Sequence, residues 1–147
     1  MKGENGIIYI YEGAAWKPIA CLTSNSLNTT VSVITSNTKC FPGVTKKTAG
    51  TFDYNLSMDG EYIDTTTAGG DTAKVSHDKL FLLQQAKTLV DWKLDTNVTN
   101  ATSTKYFGTA LITDLAADFG SGDEVTTFTA TFDGDGAISL TNTHPSV

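Results

Sequence analysis

Apolar and polar residues alternate with a period of two along much of this chain. The pattern is cleanest over Thr51 to Met58. There Phe52, Tyr54, Leu56 and Met58 share one face, and Thr51, Asp53, Asn55 and Ser57 share the other. It returns from Val125 to Asp133, where Phe128, Ala130 and Phe132 oppose Thr127, Thr129 and Thr131. One oily face and one hydroxyl-coated face predict half-buried antiparallel strands. Shorter alternations predict strands over Ile7 to Tyr11, Trp16 to Leu22, Val90 to Asp95 and Thr104 to Leu115. Pro18 places the second of these at a sheet edge or a strand start, because proline cannot donate to a ladder.

Breaks in the alternation mark the connections. Glu12 to Ala15, Asp59-Gly60, Gly120 to Asp123 and Asp133 to Gly136 read as turns, with an exit strand over Ala137 to Thr141. From Ser76 to about Leu89 the spacing becomes helical, with Leu80, Leu83 and Val90 on one stripe that Phe81 and Leu82 widen. Ser76 is placed to cap this helix and Asp78 to oppose its dipole. From Thr23 to Gly50 the pattern fades into Ser, Thr, Asn and Lys, and a long loop is expected there. The sum is a mainly β domain over residues 1–147, a β-sandwich or barrel of seven or eight strands with one flanking α-helix.

Composition narrows the function. Charged residues make up 18% of the chain, against about 25% in a typical soluble domain, so much of the surface is Thr, Ser, Asn and Gly. Such a surface suits close contact between copies, where buried charge is costly. The net charge of −6 leaves no basic footprint for gripping nucleic acid. No apolar run reaches the ~20 residues that span a bilayer. The N-terminus does not resemble a signal peptide, so the chain is expected to act where it is made or to leave by lysis.

No catalytic constellation overlies the strands. Asp133 to Gly136 superficially resembles the start of a calcium loop but lacks the later bidentate Glu. There is no G-x-S-x-G elbow and no phosphate loop. His77 and His144 lie far apart, and Cys21 and Cys40 lack zinc spacing. The two cysteines are expected as reduced, buried thiols, with a disulfide as the alternative. No cofactor, no metal and no enzymatic activity are expected. Tyr9, Tyr11, Trp16, Tyr62 and Trp92 leave open a sugar-stacking platform, and with it a secreted carbohydrate-binding or adhesive β-sandwich.

Taken in order, several segments resemble the major tail tube proteins of long-tailed bacteriophages. These are Trp16-Lys17-Pro18-Ile19-Ala20, Thr23 to Leu27, Gly50 to Ser57, the helix from Ser76, Tyr106 to Leu115, and Gly122 to Glu124 followed by Thr127 to Gly136. The last piece is the most specific. The resemblance implies a structural virion protein that forms hexameric rings and stacks them into a hollow tube for genome delivery. It also implies a tape-measure protein, a tail terminator and baseplate or tail-tip proteins as partners, with assembly in the host cytoplasm. Tubes of contractile tails and bacterial secretion machines share this fold. The stretch over 23–50 would then reach a neighbouring subunit or ring, through Leu27, Val31, Val33, Ile34, Phe41, Lys46 and Lys47, and the short polar termini are second candidates for contact between rings. DNA must pass without sticking, so the lumen is expected to be neutral or acidic. Either Thr51, Asp53, Asn55 and Ser57 or Thr127, Thr129 and Thr131 would line it; the alternative is that these faces meet ordinary solvent.

Overall fold

The alternating segments pair into seven strands, β1 (Ile7–Glu12), β2 (Ala15–Pro18), β3 (Leu22–Ser36), β4 (Lys46–Glu61), β5 (Leu89–Asp95), β6 (Lys105–Asp118) and β7 (Thr127–Ser139), with one helix, α1 (His77–Gln85), before β5. The computed structural model describes residues 6–12, 14–19, 21–36, 39–40, 42–62, 74–119 and 126–141. All seven strands form one antiparallel sheet in the order β2-β1-β5-β6-β7-β4-β3. Among the described residues, the expected mainly β architecture with one helix is what forms.

The sheet rolls around its apolar face. Strands β5 and β4 are separated by β6 and β7, so in a flat sheet they would lie about 14 Å apart. Yet the rings of Trp92 on β5 and Tyr54 on β4 have centroids 5.6 Å apart. At the far margins, Asn25 on β3 donates from Nδ2 to the Gly6 carbonyl beside β1 at 3.1 Å. A single sheet thereby encloses its own core, which holds Ile8, Ile10, Tyr54, Leu56, Met58, Trp92, Ile112, Phe128 and Phe132. Each large side chain so buried contributes about 1.5–3 kcal/mol relative to exposure.

Two glycine pairs read as turns lie inside strands. Asp133 to Gly136 stays within β7, with Gly134 opposite Ala110. A Cβ on Gly134 would stand 2.4 Å from the Tyr54 ring, so glycine is there to admit the ring. Gly60 likewise stays within β4, and its missing Cβ leaves space for the Phe128 ring and the Cys21 carbonyl. The parts of the sequence reading that fall on 63–73, 120–125 and 142–147 lie outside the described residues.

The helix is shorter than its sequence pattern suggests. Ser76 occupies the N-cap position, but its side chain makes no capping hydrogen bond. Leu80 is buried and Leu83 packs against the core, whereas Phe81 and Leu82, expected to widen the buried stripe, are exposed. The helix ends at Ala86, and Lys87 takes a positive φ of 58° before β5 starts. Glu12 on β1 holds the helix to the β1–β2 hairpin, accepting from Lys17 at 2.8 Å and Lys79 at 2.9 Å.

The loop expected over 23–50 is instead the greater part of a long β-hairpin. Strand β3 pairs with β4 from Leu22 opposite Gly60 to Ser36 opposite Lys46. The distal part of this arm is exposed on both faces, so no buried side imposes a period-two signal. Its strands are held by the ladder and by β-branched and hydroxyl side chains.

Candidate functional site

Both residue sets proposed from sequence lie on a single face. Across the β4–β7 ladder, Asn55 stands opposite Asp133, Ser57 opposite Thr131, Asp59 opposite Thr129 and Glu61 opposite Thr127. On one flank, β3 adds Ser24, Ser26, Asn28 and Thr30, paired with Asp59, Ser57, Asn55 and Asp53. On the other, β6 adds Asp114, Ala116 and Asp118, paired with Thr131, Thr129 and Thr127. The result is a continuous polar surface four strands wide, in the order β3-β4-β7-β6. Thr51 continues it onto the arm, where its backbone N–H donates to Ser32 Oγ at 2.8 Å.

This surface is internally bonded and acidic. Ser26 and Ser57 hydroxyls lie 2.7 Å apart, Asn28 Nδ2 donates to Asn55 Oδ1 at 3.2 Å, and Ser24 donates to Asp59 at 3.1 Å. Asp53, Asp59, Glu61, Asp114, Asp118 and Asp133 share the face, and no lysine stands among these outward positions. Sequence reading found the β4 and β7 sets. It missed the β3 and β6 contributions, because β3 lacks an apolar alternation and a register shift between Ile112 and Asp114 breaks the alternation of β6.

Among the described residues, neither margin of the polar surface is paired with a further strand. Strand β3 ends the sheet. Strand β6 pairs with β5 only over Lys105 to Leu111, so its later half is laddered on the β7 side alone. Gln84 Nε2 donates to the Thr113 carbonyl there at 3.1 Å.

Beyond the core, the arm carries the other residues proposed from sequence. Val31, Val33 and Ile34 are exposed, as is Phe52 at 45%, although Phe52 was expected to share the buried face of Tyr54. Phe52 lies past the end of the core, opposite Val31. Leu27 differs from these: it packs against the protein's own core opposite Leu56. Lys46 and Lys47 begin β4 opposite Ser36 and Thr35, and Phe41 lies outside the described residues. The arm bends at a register shift between Val31 and Val33. There β4 places two residues, Gly50 and Thr51, against the single Ser32 of β3; a Cβ on Gly50 would meet Ser32 Oγ at 2.2 Å, so glycine accommodates the extra residue.

The aromatic residues do not form a flat platform. Trp92 is in the core, and Tyr62 lies beside His77, with ring centroids 5.6 Å apart. Tyr11 meets Trp16 edge-on at 75° and Trp16 meets Phe107 at 62°, so these rings pack on one another. Lys93 Nζ sits 4.3 Å from the Tyr9 ring centroid and 5.3 Å from that of Trp16. Burial holds the Lys93 ammonium below its ordinary pKa, with Lys105 adding to the effect and Asp95 opposing it. Burial, and then the charge of Asp95, raises that of Tyr9.

Cys21 and Cys40 are both exposed, contrary to the expectation of buried thiols. They flank β3 at opposite ends, and β3 spans about 46 Å. A disulfide within one chain is therefore out of reach. Among the described residues no group of three or more His, Cys, Asp or Glu is arranged to hold a metal ion.

In sequence the chain matches no protein-family model and no curated protein. In structure it is similar to a chain from the tail of an empty gene transfer agent particle determined with C6 symmetry, with a TM-score of 0.76, 15% identity, and coverage of 97% of this chain and 99% of that one. The chain has the tail-tube fold. The SPP1 tail tube subunit superposes with a TM-score of 0.69 at 9% identity, covering 92% of this chain and 76% of that one. A chain of the sheath–tube complex of an extracellular contractile injection system gives 0.66 at 14% identity, covering 96% and 92%. With 97% of the chain covered, the likeness takes in the rolled sheet, the described helix and the projecting hairpin together.

Proposed function

We propose that this protein is a structural virion subunit that forms hexameric rings, stacks them into a hollow tail tube, and lines the path of genome delivery with its polar sheet face. The observation that carries this reading is the four-stranded acidic surface with an open edge on each side. The strands alternate in direction from β3 to β6, so β3 of one copy meets the late half of β6 of the next with antiparallel polarity. Sixfold closure, the symmetry of the similar gene transfer agent tail, would place twenty-four strands around a cylinder about 37 Å across at ~4.8 Å per strand. Ring closure also removes the open edges, which otherwise invite aggregation.

The acidic lining follows from what DNA requires. Each phosphate held by a lysine must be released before the duplex can move, whereas carboxylates and hydroxyls offer no counter-charge. Asp53, Asn55, Ser57, Thr127, Thr129 and Thr131 would face the lumen, joined by Ser26, Asn28 and Asp133. The exposed apolar residues of the arm, Val31, Val33, Ile34 and Phe52, would be covered by a neighbouring subunit. A tape-measure protein in the lumen, and terminator and baseplate proteins at the tube ends, complete the proposed partners. No step in this role needs a catalytic residue or a cofactor.

Negative-stain electron microscopy of the concentrated protein, with its mass in solution, tests the proposal. Hollow rings or tubes are expected. A protein that stays monomeric at all concentrations and binds glycans would replace this reading with the carbohydrate-binding one.

A further inference from the structure

Strand β6 changes its surroundings part-way along its length. Strand β5 runs beside it only as far as Leu89, opposite Leu111. Before Leu89 the chain leaves α1 through Lys87, and α1 itself packs against β6. Just past Leu111 the pairing with β7 slips. Ile112 stands opposite Phe132 and Asp114 opposite Thr131, so Thr113 is an extra, bulged residue.

Thr113 is held from both sides. Its hydroxyl donates to the Thr131 carbonyl of β7 at 3.2 Å. Its own carbonyl accepts from Gln84 Nε2 of the helix at 3.1 Å. A helix side chain thus takes an acceptor of the strand where β5 has ended. Gln84 is fixed in place for this. Leu80 is buried, Leu83 packs against the core, and the Gln84 carbonyl accepts from the Lys87 N–H at 3.0 Å, which closes the last turn. Phe81, three residues earlier on the same helix face, is exposed, as is the cross-strand pair of Leu89 and Leu111. The bond therefore lies at a bare, partly apolar margin and not in a sealed interior.

An open strand edge is a template for another chain, and proteins blunt such edges with helices, loops or bulges. Here a bulge and one side-chain amide do so. The edge proposed to meet β6 is suited to displace that amide. The outward residues of β3, Ser24, Ser26, Asn28 and Thr30, are uncharged, so a second copy brings no carboxylate on this strand against Asp114 and Asp118.

We propose that Gln84 guards the β6 edge: its amide holds the Thr113 carbonyl in the free subunit and gives way to a backbone N–H of β3 from the next copy as the ring closes. The proposal rests on the tube reading and adds a regulation of its lateral contact. Closure trades one hydrogen bond for another, so the guard does not forbid it. It delays closure, because the old bond must break before the new ladder forms.

Gln84→Met in the full-length chain tests this, since methionine has similar length and helix propensity but no donor. Ring formation is followed by light scattering and sedimentation over a concentration series, with electron microscopy of the product. Gln84→Met is expected to shorten the lag and to lower the critical concentration about three- to tenfold. Gln84→Ala is expected to do the same, and Gln84→Lys, which keeps a donor, to behave like wild type. Melting curves for each variant separate a freed edge from a loosened fold. Folded Gln84→Met and Gln84→Ala chains that assemble no faster than wild type, or Gln84→Lys that assembles as readily as Gln84→Met, would overturn the guard and leave the tube reading standing. Folded wild-type and variant chains that form no rings at any concentration would overturn both.

Discussion

The Trp92 indole N–H donates to the Tyr54 hydroxyl at 3.2 Å, and that hydroxyl donates onward to the Thr109 carbonyl at 2.6 Å. Three strands that are not neighbours in pairs β4–β5 and β4–β6 are thereby tied through the interior. Tyr54→Phe keeps the ring but leaves the indole donor and the Thr109 carbonyl without this partner. A loss of about 1–3 kcal/mol is expected, measured by urea denaturation. An unchanged midpoint would mean that the hydroxyl is incidental to the roll of the sheet.

Gly134→Ala addresses the same junction sterically. The added carbon would lie 2.4 Å from the Tyr54 ring, and on Gly108 it would lie 2.8 Å from Trp92. Either substitution is expected to cost about 1–3 kcal/mol through overpacking. Gly136→Ala, where the surrounding space is open, isolates the backbone cost at a φ of 80°. Thermal melts of the three variants distinguish crowding from backbone strain.

These glycines also show where the sequence misleads. Asp59-Gly60 and Asp133 to Gly136 have the composition of turns, yet both lie within strands: Gly60 and Gly134 give room to an aromatic ring, and Gly136 takes the positive φ where the β6–β7 register shifts. Tyr54, Leu56, Met58, Phe128, Ala130 and Phe132 were legible as core, since one buried face enforces the alternation. The arm was not legible as strand, because solvent on both sides lets Thr, Ser, Asn and Val occur in any order. That the β4 and β7 hydroxyl rows form one surface depends on pairing between segments some seventy residues apart, which no local pattern encodes.

Glu12 gives a pH prediction. Burial alone would raise its pKa, but the hydrogen bonds and charges of Lys17 and Lys79 together outweigh burial and lower it. A carboxylate with a depressed folded-state pKa contributes stability that is present above its unfolded value and lost as pH falls through the folded one. Glu12→Gln is therefore expected to be less stable than wild type near neutral pH, by about 0.5–1 kcal/mol. The difference should close below about pH 4. Paired melting curves across that range check it, and a gap that persists in acid would rule out the ion pairs as its source.

The tip of the arm can be removed without touching the core. Deleting Thr35 to Lys47 should leave a subunit with an unchanged melting temperature that no longer polymerises, followed by light scattering and electron microscopy. Normal tubes from this variant would take the arm out of assembly.

Two carboxylates of the proposed lumen face can be reversed in charge while the fold is kept. Asp53→Lys with Asp133→Lys places two lysines on the exposed polar face. Tubes of this variant are expected to retain DNA at low salt and release it as salt rises, whereas wild-type tubes retain none. Equal retention by both, in a gel-shift assay, would place this face away from the DNA path.

The register shift at Ser32 has a consequence for how the arm tolerates change. Side-chain direction alternates along a strand, so one extra residue exchanges the two sides for everything beyond it. Past Ser32, Ile34 stands opposite Thr48 and Val33 opposite Ala49. Removing Gly50 alone would regularise the ladder and keep that order, whereas removing Ser32 would enlarge the mismatch and put Val33 on the side that Ile34 now holds. Substitutions in the distal arm change one position at a time, but a single-residue deletion in β3 at the bend would exchange the two sides of everything beyond it at once. On the proposed role of the arm in assembly, partner choice in a lineage of such proteins could therefore switch in one step through chain length, while composition stays nearly constant.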